Sequence, residues 1–287
     1  MFDDFKTRSR RLLARKRQTA PVRALHRFAA FIDASYENDE WDMCANGETT
    51  LLGRLAPAGF ATVFDVGAHV GDWSIAALRA WPDAHVHAFE VAPPTFARLT
   101  GGIGSAGLAA HVTLNGVGLS DATERRNICF FPEHPNLTCD LPRHTFPWTA
   151  LSAEFVEGDQ YVRDRQIDRI DFAKIDVEGA EYRVLRGLRD TIAAGRITCI
   201  QFEYGAFSIQ TRVLLADYYQ LLEPHYWIGK IYPTSVEFRD YAWTMESFRF
   251  SNFLCVSRAR PELRSLAAGG TAPARKDRLS TIAERTC

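Results

Sequence analysis

The sequence predicts an α/β fold. It would be a doubly wound, mostly parallel sheet with an antiparallel strand near its C-terminal end and a helical extension at its N-terminus. Three observations carry this. Thr62 to Ser74, TVFDVGAHVGDWS, reads as strand, tight turn and helix. Beyond it, short apolar runs keep alternating with amphipathic stretches, which is the pattern of a parallel sheet. Acids recur where the runs end, at Asp65, Glu90, Asp176 and Glu178. Ligands of such sheets bind beyond the carboxyl ends of the strands, so the topology puts these four on one edge.

The first turn limits the ligand. Gly67 suits a bend with positive φ or a close backbone approach, and Gly71 lets the following helix pack tightly on its strand. The free N–H groups of that helix favour an anionic ligand group. The spacing is G-x-x-x-G, not the G-x-G-x-x-G of a dinucleotide turn, and no Lys-Ser/Thr pair follows as in a P-loop. Asp65 would repel a polyphosphate and suits an ammonium or sulfonium group. S-adenosylmethionine carries both, with a carboxylate and a ribose. Spacing alone leaves an ordinary strand-turn-helix equally open. Glu90 adds weight: it ends the run Val86 to Phe89, 25 residues after Asp65, where an acid accepts hydrogen bonds from ribose hydroxyls.

Four segments carry a family resemblance: FDVGAHVGDWS, FEVAPPTFARL, NGVGLSD and IDFAKIDVEGAEYRVLRGL. In order and spacing, over roughly residues 36–256, they resemble the FkbM-type S-adenosylmethionine-dependent methyltransferases, most specifically in KIDVEGAE (Lys174 to Glu181). The resemblance implies a Rossmann-like class I methyltransferase domain, usually acting on a hydroxyl oxygen. It implies cofactor contacts from Asp65, Gly67, Ala68, His69, Gly71, Glu90 and Val91, with Asn115, Gly118 and Leu119 near the adenine. His69 departs from the family, which more often has Asn there. The resemblance also lays the segment before the domain over the cofactor site, which would put Tyr36, Glu37 and Trp41 beside the ligand; plain surface packing of the three is an equal reading.

Residues 1–55 read as a basic arm and helical preface. Nine Lys/Arg against Asp3 and Asp4 in residues 1–27, with Phe5, Leu12, Leu13, Val22 and Leu25 at loosely helical spacing, fit a surface helix. Such an arm would contact an anionic lipid surface or a glycan-assembly complex, or remain solvated. No apolar core follows the basic stretch, so it is a poor signal peptide. Asn46-Gly47-Glu48 breaks the preface before a short helix, Thr49 to Leu55.

Residues 56–257 read as the methyltransferase domain. Pro93-Pro94 opens the helix after Glu90, and Val112 to Val117 forms a third strand. Gly118 to Asp121 then reads as a turn. Residues 122–151 are irregular apart from a strand over Asn127 to Phe131. Pro132, Pro135, Pro142 and Pro147 punctuate a loop carrying His134, His144 and Trp148, expected to be an acceptor-side lid. Helices are expected over Phe155 to Arg165, Glu178 to Ala194 and Arg212 to Leu222. Strands are expected over Ile170 to Val177, Ile197 to Glu203, Tyr226 to Tyr232, Val236 to Arg239 and Asn252 to Ser257. Residues 258–287 read as a disordered tail.

Net charge is −1, which favours neither nucleic acid nor membrane for the chain as a whole. The core shows no base-clamping motif or basic stacking groove, so no nucleic-acid partner is expected. The six cysteines have no C-x-x-C or metal spacing, pointing to reduced thiols in the cytoplasm. No run approaches the length of a transmembrane helix.

Methyl transfer to a hydroxyl needs an aligned acceptor and a group that takes its proton. Asp176, Glu178, Glu181 and Glu203 are the candidates, Asp176 first. Their carboxylates suggest Mg²⁺, but acids in a first helical turn also stabilise the dipole or form a cap, so no metal ligand is assigned. The expected partner is a small-molecule or glycan acceptor of unspecified identity. An NAD(P)-dependent oxidoreductase and a non-catalytic Rossmann-like binding module remain the rival readings.

Overall fold

Strands that are apolar on both faces need cover on both sides, and the central sheet has it. The computed structural model describes residues 2–141 and 146–270. The chain opens with α1 (Phe2–Arg15), α2 (Ala20–Tyr36) and α3 (Glu48–Leu55). It continues with β1 (Thr62–Val66), α4 (Asp72–Ala80), β2 (His85–Phe89), α5 (Pro93–Ser105) and β3 (Val112–Asn115). Next come β4 (Gly118–Ser120), β5 (Glu124–Phe130), β6 (Thr149–Glu157) and α6 (Gly158–Asp164). Then follow β7 (Ile170–Ile175), α7 (Glu181–Gly187), α8 (Arg189–Ala193), β8 (Ile197–Tyr204), α9 (Ser208–Thr211) and α10 (Leu215–Leu222). The last elements are β9 (Tyr226–Tyr232), β10 (Ser235–Phe238), β11 (Ser251–Ser257) and α11 (Pro261–Ala267).

Eight strands form one sheet in the order β10-β9-β11-β8-β7-β1-β2-β3. The pairs from β3 through β2, β1 and β7 to β8 are parallel, whereas β11 is antiparallel to β8 and β9, and β10 to β9. The sheet is therefore mixed, with more antiparallel pairing than the single reversed strand expected. Only Pro233 and Thr234 separate β9 from β10, and so short a link permits a hairpin but no crossover. Alternate residues of β1 and β7 feed two cores. Val63 and Phe172 face α3, α4 and α11, while Phe64, Val66 and Ile175 face the side covered by α7 and α10. Trp81 donates from Nε1 to the Leu55 carbonyl at 3.1 Å, fastening α3 to this layer.

Several expectations need correction. Gly118–Ser120 is no turn: β4 pairs in parallel with β6 in a second sheet, β4-β6-β5. The stretch expected to be irregular supplies β5, which runs antiparallel to β6 from Glu124–Phe155 to Phe130–Thr149. Phe155 to Glu157 therefore belongs to a strand, and the helix begins at Gly158. The segment after Ser257, expected to be a tail, also folds in part. Leu263, Leu266 and Ala267 of α11 are buried against the α3 side of the core. The remainder of the expected tail, residues 271–287, and His144 lie outside the described residues. The helix expected over Glu178 to Ala194 starts later and is split at Leu188.

Among the described residues, no helix is long and apolar enough to cross a membrane.

Candidate active site

The carboxyl ends of β1, β2, β7 and β8 meet around one cavity of about 320 Å³. On its β1–β2 side, Gly67 and Ala68 both donate to the Phe89 carbonyl, at 3.0 and 2.9 Å. Gly67 has φ 89°, and a Cβ there would lie 1.8 Å from the Asp176 carbonyl oxygen. His69 has φ 50°, a conformation in which Asn and His are enriched among non-glycine residues. The turn therefore accepts histidine at this position. Gly71 has φ 95° and lies against Leu99 and Ile103, away from the cavity wall. Glu90, just past β2, accepts from the backbone N–H of Ala92 at 2.8 Å and of His69 at 3.1 Å. Burial nevertheless pushes its carboxyl up to about 7.

Asp65 does not do what its position suggested. It is wholly buried, takes a 2.6 Å hydrogen bond from Ser74 and does not line the cavity. Strand alternation turns Val66, not Asp65, toward the wall. Burial raises the Asp65 carboxyl, against the pull of Lys174, its register partner on β7. Asn115 also stays behind the wall. Its amide donates to the Ala88 and Thr113 carbonyls, and its Oδ1 accepts from the Tyr161 hydroxyl. Gly118, Leu119, Val91, Ala68 and His69 do line the cavity.

The opposite wall is acidic. Asp176, Glu178 and Glu203 each bring a carboxylate oxygen to within 4.8 Å of the others. Burial works against ionised Asp176, but Lys174 Nζ at 2.7 Å and a hydrogen bond from Glu203 hold its carboxyl below the usual range. Burial also opposes the Lys174 charge, yet Asp176, Asp65 and Glu48 together drive its pKa upward. Glu181 belongs elsewhere. It is fully buried and accepts from the backbone N–H of Val177 and Gly179 at 3.0 Å, so it braces the turn that presents Glu178. Glu178 and Gly179 both have positive φ, at 56° and 107°. A non-glycine residue held there stores strain of a kind that gathers at functional sites.

Sequence reasoning missed the third side. Glu48, at the start of α3, is buried and accepts from Asn46, Gln201 and Asn252, joining the N-terminal preface to β8 and β11. Its signal was local: Gly47 has φ 103° and sits so close to Tyr232 that a Cβ would meet its carbonyl oxygen at 2.1 Å. Trp41 and Met43 line the mouth, whereas Glu37 pairs with Lys230 at 2.8 Å and Tyr36 is not on the wall. Asn136, Thr138 and Cys139, in the connection between β5 and β6, line the cavity on another side. His134 instead packs on Phe146, with ring centroids 4.3 Å apart.

These residues fit an adenosyl ligand. Glu90 offers a carboxylate to a diol, Val91, Leu119 and Phe155 offer an apolar slot, and the missing Cβ of Gly67 leaves backbone open. Trp73, which lines the cavity, has a buried indole N–H with no partner among the described residues, a donor suited to a ligand carboxylate or hydroxyl. The acidic trio has the oxygen chemistry of a Mg²⁺ site, though the Lys174 ammonium already neutralises one member.

Part of the sequence is shared with known proteins. The family model described as the methyltransferase FkbM domain matches residues 65–226, more than half of the chain. The 31-O-demethyl-FK506 methyltransferase FkbM of Streptomyces tacrolimicus is 30% identical over 156 residues, 45% of this chain and 59% of that protein. The AMB antimetabolite synthetase AmbE of Pseudomonas aeruginosa is 29% identical over 174 residues, 47% of this chain and 8% of that protein. In both, the match spans less than two thirds of the relative's own length. The crystal structure of a methyltransferase FkbM from Methylobacillus flagellatus KT aligns at TM-score 0.44 and 16% identity, covering 69% of this chain and 44% of that one. The chain belongs to the FkbM methyltransferase family.

Proposed function

We propose that this protein is an S-adenosylmethionine-dependent methyltransferase acting on a hydroxyl of a small molecule. The observation that carries the reading is one cavity with two chemically distinct walls: the Gly67–His69 turn with Glu90, and the carboxylates of Asp176, Glu178 and Glu203. Bound there, the cofactor supplies an electrophilic methyl group on a sulfonium. The chain supplies the rest. Glu90 accepts hydrogen bonds from the ribose diol, Val91 and Leu119 flank the adenine, and Trp73 donates from its indole. Asp176, kept ionised by Lys174, takes the hydroxyl proton, with Glu178 and Glu203 orienting the acceptor. A hydroxyl acceptor is supported by the name of the Streptomyces relative, which refers to an oxygen methylation. A sugar hydroxyl is a narrower form of the same reading.

Titration calorimetry with S-adenosylmethionine and S-adenosylhomocysteine, with NAD(P) as control, tests it. Micromolar binding of both adenosyl ligands, weakened in Glu90→Gln, is the expected result. A folded protein that binds neither sinks the proposal, and NAD(P) binding would favour the oxidoreductase.

A further inference from the structure

We propose that α1 and α2 form a docking surface for anionic lipid, which brings the mouth of the cavity to a membrane. The proposal does not rest on the methyltransferase reading. α2 has no buried residue, although Leu25, Phe28, Ile32 and Tyr36 fall at helical spacings that place them on one stripe. All four are exposed, Phe28 at 60% and Tyr36 at 76%. In α1, Phe5, Leu12 and Leu13 form a second exposed apolar face, with Arg8, Arg11 and Arg15 along its flank. Stripes like these on a protein in water mark an interaction surface.

Charge decides the partner. Residues 1–27 hold nine Lys/Arg and two acids, so a second copy of the arm would be repelled. The same excess fits a surface of anionic headgroups, as in amphipathic helices that lie in a bilayer interface. Where α1 meets α2, Arg17, Arg23, His26 and Arg27 line one cleft, a suitable receptacle for a phosphate headgroup. The next acid along the chain, Asp33, is engaged by Arg249.

The arm is also fixed to the domain. Asn38 donates to the Asn46 and Ile231 carbonyls, and Glu37 holds Lys230. The chain then passes directly to Trp41, which is 78% exposed and lines the cavity. Tryptophan favours the membrane–water interface, so a docked arm holds the cavity mouth at headgroup level.

Vesicle co-sedimentation of the full chain tests this, using phosphatidylcholine alone and phosphatidylcholine with phosphatidylglycerol in equal parts. At low salt, partitioning is expected to be at least about tenfold stronger onto the anionic vesicles and to fall as salt rises. Phe28→Ser with Ile32→Ser should lose binding to both vesicle types. Arg23→Gln with Arg27→Gln should lose only the anionic preference. Unchanged thermal unfolding in both variants shows that the fold is kept. Equal partitioning onto the two vesicle types overturns the proposal. So does absence of vesicle binding by a protein that is oligomeric in solution and becomes monomeric in the Phe28/Ile32 variant, which would make the face a self-association surface.

Discussion

Lys174 Nζ lies 2.7 Å from Asp176 Oδ2, two residues along the same strand end, and 5.9 Å from the centroid of the Trp73 ring, with Asp65 as its register partner on β1. This pair keeps the foremost candidate base ionised. Replacing Lys174 with Met removes the cation, so the Asp176 carboxyl rises. The acid limb of the kcat/KM profile should then move to higher pH. Asp176→Asn should lower kcat by about 10²–10⁴-fold with little change in S-adenosylhomocysteine affinity. A pH–rate series on the two variants checks both.

Glu90 makes cofactor binding pH-dependent. Its carboxyl titrates at about 7 in the free protein, above its ordinary value because burial penalises the charge. Ribose hydroxyls need the ionised form as acceptor, so affinity for S-adenosylhomocysteine should rise as pH passes upward through about 7. For the unliganded fold the sign is opposite. A raised carboxyl contributes stability below its unfolded pKa and loses it as pH climbs through the folded value. Calorimetry across that range should show the affinity change, and Glu90→Gln should flatten it.

Gly67→Ala should abolish binding. The backbone cost of positive φ in a non-glycine residue is on the order of 1–3 kcal/mol. The new methyl would also collide with the Asp176 carbonyl, forcing the β1 and β7 ends apart. A thermal shift with and without S-adenosylhomocysteine separates lost stability from lost binding.

Glu181→Ala tests a bracing role. The substitution leaves the partly buried N–H groups of Val177 and Gly179 without their acceptor, at up to about 1–3 kcal/mol in all, since water can reach them in part. Denaturant unfolding should show the loss. Glu181→Gln should recover part of it, because one acceptor oxygen remains.

The packing of α11 can be tested by substitution. Leu263→Ala should cost about 2–5 kcal/mol, the range for a buried leucine. Calorimetric melting of the two proteins decides.

What was legible in the sequence was local. Gly67, Gly71 and Glu90 stand within one βαβ unit, where spacing in the chain becomes spacing in space. The second sheet escaped because β4 finds its partner in β6, some thirty residues later and across a proline-rich stretch. Asp65 was misplaced because a strand-end position was read without the alternation that turns its side chain inward. Residues 261–267 looked like tail by composition, yet Leu263 and Leu266 have a helix and a strand waiting for them. Glu48 was harder to find: Gly47 marks a turn before it, but its partners, Gln201 and Asn252, lie about 150 and 200 residues away.

The cavity also reaches beyond the stretch that the family model matches. The glycine turn, Glu90 and the carboxylates of Asp176, Glu178 and Glu203 lie within residues 65–226, but Trp41, Met43, Glu48 and Phe250 of the same lining fall outside it. A piece of the chain cut to the matched residues would therefore lack part of this wall.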